Sequence, residues 1–209
     1  MISTISLYSI LHPRPSFPFL SFPLLSSAPT TKLTTYLFFS HPPDVLGSLA
    51  FTPVKNDLLS NISKIRTYQH SASISPSISV SSTTTTLQSL VRSELATKKH
   101  VATEGLLWLL RGLDFTAQAL RHNVSHPTEE LSASFRHAYA ETLKPHHSFL
   151  VKPIFSAAMG ACPYRKEFYR KLGDEGTEAE VQAILLEWLA ALEAQVVVLK
   201  AFMAKEGKW

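Results

Sequence analysis

Asp57, Asn61 and Lys64 recur at i, i+4 and i+7, a spacing that projects all three side chains from one face of a helix. A carboxylate accepts hydrogen bonds, a carboxamide donates and accepts, and an ammonium donates. That mixture suits a sugar, whose hydroxyls do both. The same spacing also describes a solvated helical face with an Asp/Lys pair. Trp108 sits among Leu106, Leu107 and Leu110. Its indole offers a plane for the C–H face of a sugar ring, or an ordinary core side chain. His147 follows Pro145 and His146, and reads either as a hydrogen-bonding group or as a solvated residue at a helix start. No nucleophile motif, metal-ligand spacing or glycine-rich phosphate loop accompanies Asp57 and His147. The expectation is a binding protein, not an enzyme, with neither metal nor cofactor.

The elements that must position these groups are helical. Val54, Leu58, Ile62 and Ile65 follow i, i+4, i+8, i+11 and place an apolar stripe behind the polar face. Residues 71–86 are almost all Ser and Thr and read as a low-complexity loop. A second stripe runs through Leu87, Leu90, Val91 and Leu95. Thr103 and Glu104 open a strongly apolar helix from Leu106 to about Leu120, and 122–127 reads as a turn. Thr128 stands as a cap before Glu129 and Glu130. Leu131, Phe135, Tyr139 and Leu143 make the next stripe, interrupted at Pro145. A helix from His147 to about Ala161 ends at Pro163, and a short one follows near 166–172. Gly173 and Gly176 bracket a turn. Thr177 with Glu180 forms a capping box for a last helix carrying Val181, Ile184, Leu185, Trp188, Leu192, Val196, Leu199 and Met203.

The remainder of the chain is different in texture. Residues 1–43 contain no acidic residue and no Gly, and only Arg14 and Lys32 are basic. Residues 16–25 are apolar but broken by Pro18 and Pro23, each of which disrupts a helical turn. This segment is expected to be disordered or loosely docked, with the all-α domain running from about 44 to 209. A formal charge of +4 is too small to argue for nucleic acid, and it suits brief contact with an anionic membrane. Cys162 is the only cysteine, so no intramolecular disulfide can form. No membrane-spanning helix is expected. Asn61-Ile-Ser63 and Asn123-Val-Ser125 fit the glycosylation sequon. A glycan on Asn61 would obstruct the polar face, which favours the cytoplasm.

Several strings, in order, resemble the glycolipid transfer protein family: Asp44-Val-Leu-Gly-Ser48, Phe51-Thr-Pro-Val-Lys-Asn-Asp57, Asn61-Ile-Ser-Lys64, Leu107-Trp-Leu-Leu-Arg-Gly-Leu113 and Leu143-Lys-Pro-His-His147. Val151-Lys-Pro-Ile-Phe-Ser-Ala-Ala158 and Ala161-Cys-Pro-Tyr164 continue the likeness. It covers about 44 to the C-terminus and is most similar to the fungal branch, the heterokaryon-incompatibility C homologues. The resemblance implies a single-domain, two-layer helical sandwich that binds a glycosphingolipid and moves it between membranes. By position, Asp57, Asn61 and Lys64 would bond the first sugar, with Asp57 also taking the ceramide amide N–H. Trp108 would stack under that sugar, and His147 would bond the amide carbonyl. Phe51, Val54, Leu58, Phe115 and Phe155 are candidates for an apolar chamber around the hydrocarbon chains, or for ordinary core. Phe149 is the candidate membrane contact. The implied protein is a cytoplasmic monomer touching membranes transiently. Asn61 and Trp108 argue for sugar over the ceramide-1-phosphate recognised by a related branch; a glycolipid sensor without net transfer would need the same site. The family opens with a long amphipathic helix, whereas Pro42-Pro43 precedes Asp44 here, so that first helix is expected to be missing or replaced.

Overall fold

The computed structural model describes residues 49–74, 86–173 and 177–206. The expectations for 1–43, for most of the Ser/Thr run and for the turn at 174–176 lie outside these residues. The described chain forms seven α-helices: α1 (Thr52–Ile74), α2 (Leu87–Ala96), α3 (Val101–Ser125), α4 (Leu131–Glu141), α5 (Val151–Gly160), α6 (Arg165–Gly173) and α7 (Glu178–Glu206). Short 3-10 turns occupy Leu49–Phe51 and Lys144–His146. No strand occurs among the described residues, so the fold is all-α as the stripes predict.

Helix α3 is the centre of the packing and touches α1, α2, α4 and α7. Its buried Leu106, Leu109, Leu110, Leu113, Ala117 and Leu120 recur at helical spacing. Opposite them, α7 buries Leu185, Trp188, Leu189, Leu192, Val196 and Leu199. By length and mean hydropathy α7 could cross a bilayer. It passes on length and composition because Leu, Val and Ala occupy both its core stripe and its outer face, although Glu187 and Glu193 interrupt the apolar run. Its buried side chains belong to the core cluster shared with α3 and α6.

One buried carboxylate fixes where α3 begins. Glu94, 1% exposed at the end of α2, accepts from Ala102 N (2.9 Å), Thr103 N (2.6 Å) and Thr103 Oγ1 (2.7 Å). Those amides are otherwise orphan donors of a helix start, and a carboxylate there also opposes the positive end of the helix dipole. The helix consequently starts at Val101, just before the predicted opening at Thr103 and Glu104.

The far end of α3 is tied by Arg165. Its Nη1 donates to Asn123 O (2.6 Å) and to Asn123 Oδ1 (2.7 Å), and its guanidinium lies 4.7 Å from the Tyr169 ring centre. The Arg165 backbone N–H donates to Glu130 Oε2 at 2.7 Å. Asn123 is fully buried and donates in turn to Ser134 Oγ.

Four local expectations are corrected. Helix α1 continues through Ser71 into the predicted loop, with Ser71 Oγ donating to Tyr68 O (2.9 Å). Helix α3 runs through most of the predicted 122–127 turn to Ser125, and the Nδ1 of His126 bonds His122 O just beyond it. The α4 cap is Glu130, not Thr128, and it makes no side-chain cap bond because its carboxylate serves Arg165 N. The helix expected from His147 starts at Val151, since His147 is extended (φ −89°, ψ 134°) after a 3-10 turn opened by Pro145. The Thr177/Glu180 capping box forms as predicted: Thr177 N and Oγ1 each lie 2.8 Å from Glu180 Oε2, and Glu180 N donates back to Thr177 Oγ1.

Candidate functional site

On α1 the three spaced polar residues form a chain. Asn61 Nδ2 donates to Asp57 Oδ2 (3.1 Å), and Lys64 Nζ donates to Asn61 Oδ1 (3.2 Å). Asn61 is only 2% exposed, so it does not belong to a solvated face. Its carboxamide holds the carboxylate and the ammonium in fixed relation. Asp57 opens toward solvent, yet the surrounding protein raises its carboxyl above the ordinary value; Lys64 and Asn61 oppose the shift without overcoming it.

The indole comes from α3, and a glycine sets its distance from α1. A Cβ on Gly105 would lie 3.1 Å from Asn61 O and 3.2 Å from Lys64 Cβ. Only a residue without a side chain lets the helices approach this closely at the polar chain. Trp108 is one turn further along α3 and half-buried. Its ring stacks with His147 at 5.9 Å between centres and 21° between planes. The Arg111 guanidinium lies 4.8 Å from the Trp108 ring centre.

His147 is held by α4 and α5. Tyr139 Oη lies 3.1 Å from His147 Nδ1, and the Phe155 ring centre lies 4.4 Å from the imidazole centre. Burial, followed by repulsion from His146 when it is protonated and from Lys152 and Arg111, lowers its pKa below the ordinary 6.5, which leaves it neutral at pH 7. If the tyrosine donates, the imidazole proton sits on Nε2 and that edge is a hydrogen-bond donor.

The apolar candidates divide. Phe115 is buried, meeting Phe135, Tyr139 and Phe155 edge-on at 5.4–6.3 Å. Phe155 is half-buried and stacks on Tyr139 at 5.4 Å. Phe51, Val54 and Leu58 are half-buried at the start of α1. The turn bearing Phe51 touches α5, the helix of Phe155. A continuous aromatic path thus runs from His147 through Phe155 to Phe115. Phe149 is 78% exposed, and Leu150 (68%) and Ile154 (43%) extend an uncovered apolar patch from it.

Sequence reading missed Gly105, Arg111, Tyr139, Leu150 and Ile154 as parts of this region. Tyr139 read as a core stripe residue, and its position four residues before Leu143 held no sign of the histidine it meets. Gly105, immediately before Leu106, was the readable signal, since glycine inside a strong helix implies close approach. Both sequon asparagines, Asn61 and Asn123, are buried and hydrogen-bonded.

Residues 33–174 match the model of the glycolipid transfer protein family. A glycolipid transfer protein of Aureobasidium melanogenum is 58% identical over 167 residues, covering 79% of this chain and 78% of that protein. The crystal structure of HET-C2, a fungal glycolipid transfer protein, superposes with a TM-score of 0.73 at 53% identity, covering 87% of this chain and 86% of that one. Mouse ceramide-1-phosphate transfer protein superposes with a TM-score of 0.67 at 22% identity, over 85% of each chain, and shares the fold alone. The family match, the extent of the fungal relative and the all-α architecture agree: the chain belongs to the glycolipid transfer protein family.

Proposed function

We propose that this chain binds one glycosphingolipid and carries it between membranes. The observation that carries this reading is the hydrogen-bonded Asp57–Asn61–Lys64 chain seated, at Gly105, one helical turn from Trp108. The carboxylate and ammonium offer an acceptor and a donor to sugar hydroxyls, and the indole offers a plane for the ring. Asp57 accepts the ceramide amide N–H, and the neutral His147 donates to the amide carbonyl. A single ammonium paired with Asn61 is a poor clamp for a doubly charged phosphate, which favours sugar over ceramide-1-phosphate.

The hydrocarbon chains lie along Phe51, Val54, Leu58, Phe115 and Phe155. Each methylene contributes about 0.8 kcal/mol when removed from water. Exchanging bilayer for protein interior leaves that term almost unchanged, so the polar site decides which lipid is kept. Phe149 enters the membrane surface while the lipid passes. No covalent bond is made or broken, and no cofactor takes part. The chain works as a cytoplasmic monomer at transient membrane contacts.

The acid dependence of lipid uptake tests this reading. Asp57 holds its proton to higher pH than a free aspartate, so its acceptor is lost before the ordinary carboxylate range is reached. Uptake of glucosylceramide from neutral vesicles should fall as pH drops from 7 toward about 4. Asp57→Asn should reduce uptake at pH 7 by about tenfold or more, the effect of losing a charge-assisted bond. The same substitution should leave the melting temperature unchanged or higher. A raised folded-state pKa means the charged form opposes folding, so removing the charge relieves that penalty. Full uptake by Asp57→Asn at pH 7 would remove Asp57 from the site.

A further inference from the structure

The rings around His147 hold its plane but do not choose which nitrogen carries the proton. Trp108 lies at 5.9 Å, Tyr139 at 5.6 Å and Phe155 at 4.4 Å between ring centres. Such contacts are blind to the tautomer. One polar atom tells the two edges apart. Tyr139 Oη lies 3.1 Å from His147 Nδ1. Among the described residues no other hydrogen bond reaches that hydroxyl, and none reaches His147 Nε2.

The surroundings of the hydroxyl set the direction of the bond. Tyr139 is buried, with its ring packed by Phe115 and Phe155. If Oη accepted from an Nδ1–H, its own proton would be left without an acceptor in an apolar setting, and an unpaired buried donor is strongly unfavourable. Burial also raises the phenol above its ordinary pKa of 10.0, so it keeps a proton to give. When Oη donates, that proton is used, and Nδ1 must be the bare nitrogen. The neutral imidazole then carries its one N–H at Nε2, the edge with no partner in the protein.

Both groups belong to one short segment. Tyr139 stands near the end of α4, and His147 follows the 3-10 turn at Lys144–His146. That return is braced by Thr142 Oγ1 donating to Ala138 O (2.6 Å) and by His147 N donating to Leu143 O (3.2 Å). We propose that Tyr139 is a positioning residue whose hydroxyl holds His147 in the Nε2–H form, so that the imidazole donates to a ligand carbonyl and cannot accept a ligand N–H. The proposal rests on the glycolipid reading of the site and fixes the polarity of the lipid amide within it. The carbonyl goes to His147, and the N–H is left to Asp57, the one of the two that can accept. A histidine protonated on Nδ1 would exchange those roles.

The test reads the proton and the lipid separately, on the full chain. Nitrogen NMR of histidine-labelled, lipid-free protein distinguishes a protonated from a bare ring nitrogen, with His147 assigned by its absence in His147→Gln. The expected result is a bare Nδ1 and a protonated Nε2. Tyr139→Phe keeps the ring and removes the hydroxyl, and should draw the two signals together as the forms exchange. It should also lower glucosylceramide uptake from vesicles about fivefold, the effect of one hydrogen bond, with the melting temperature as the control for folding. His147→Gln carries an N–H donor that no tautomer can remove. Adding Tyr139→Phe to it should therefore change uptake by less than about twofold. The same loss in both backgrounds would make Tyr139 a packing residue and overturn the proposal. So would a proton on Nδ1 in the parent, or parent-level uptake by Tyr139→Phe. A parent with its proton on Nε2 that takes up no glucosylceramide would instead remove the glycolipid reading, and with it the ligand that His147 is set to meet.

Discussion

Trp108→Ala is expected to lower glucosylceramide transfer by roughly thirtyfold or more while leaving the helical signal in circular dichroism in place. The indole is half-buried, has His147 and Arg111 as ring neighbours, and is not part of the core cluster, so its removal should not unfold the chain. What it removes is the platform of the proposed first sugar and the ring against which His147 is set. A central aromatic anchor of this kind typically carries about 2 kcal/mol or more of binding, which corresponds to that factor. Trp108→Phe keeps an aromatic plane of smaller area and should retain part of the activity. If Trp108→Ala transfers at the parent rate, the sugar does not rest on this ring.

The second large effect concerns docking. Phe149 and Leu150 are 78% and 68% exposed, side by side in the segment between His147 and α5. Burying one such side chain contributes about 1.5–3 kcal/mol. Exposed large apolar groups that adjoin a lipid-binding site are a candidate membrane contact. The double variant Phe149→Ser, Leu150→Ser should reduce vesicle binding about a hundredfold, equivalent to ~3 kcal/mol, with no loss of melting temperature because neither side chain packs in the core. Raising salt should have a smaller effect, since the chain's formal charge is only +4. Salt-sensitive binding with an unaffected double variant would make docking electrostatic.

How much of this was legible in the sequence depends on whether the signal was local. The apolar stripes of α3, α4 and α7 were readable because a 3.6-residue period leaves a mark within one helix. The ends of those helices were less so. The start of α3 is fixed by Glu94, which lies on the preceding helix, and the Glu130 carboxylate is drawn from its own helix by Arg165, thirty-five residues on. The first contact crosses from one helix to the next, and the second spans a separation no local pattern covers. Asp57, Asn61 and Lys64 could be placed on one face from spacing, but only the fold shows that Asn61 is buried and bridges the other two. Tyr139 read as a stripe residue, and its hydroxyl meets His147 because the 3-10 turn at Lys144–His146 folds that segment back over α4.

Selective carriage of a neutral glycosphingolipid can be measured by competition between two lipids in one donor membrane. Donor vesicles would contain equal amounts of labelled glucosylceramide and labelled ceramide-1-phosphate, and the full chain would be added with an excess of unlabelled acceptor vesicles. Glucosylceramide should appear in the acceptors in a protein-dependent manner while ceramide-1-phosphate stays behind. Faster movement of ceramide-1-phosphate would contradict the sugar site. Stoichiometric binding of glucosylceramide with no delivery to acceptors would contradict carriage and leave a sensor in its place.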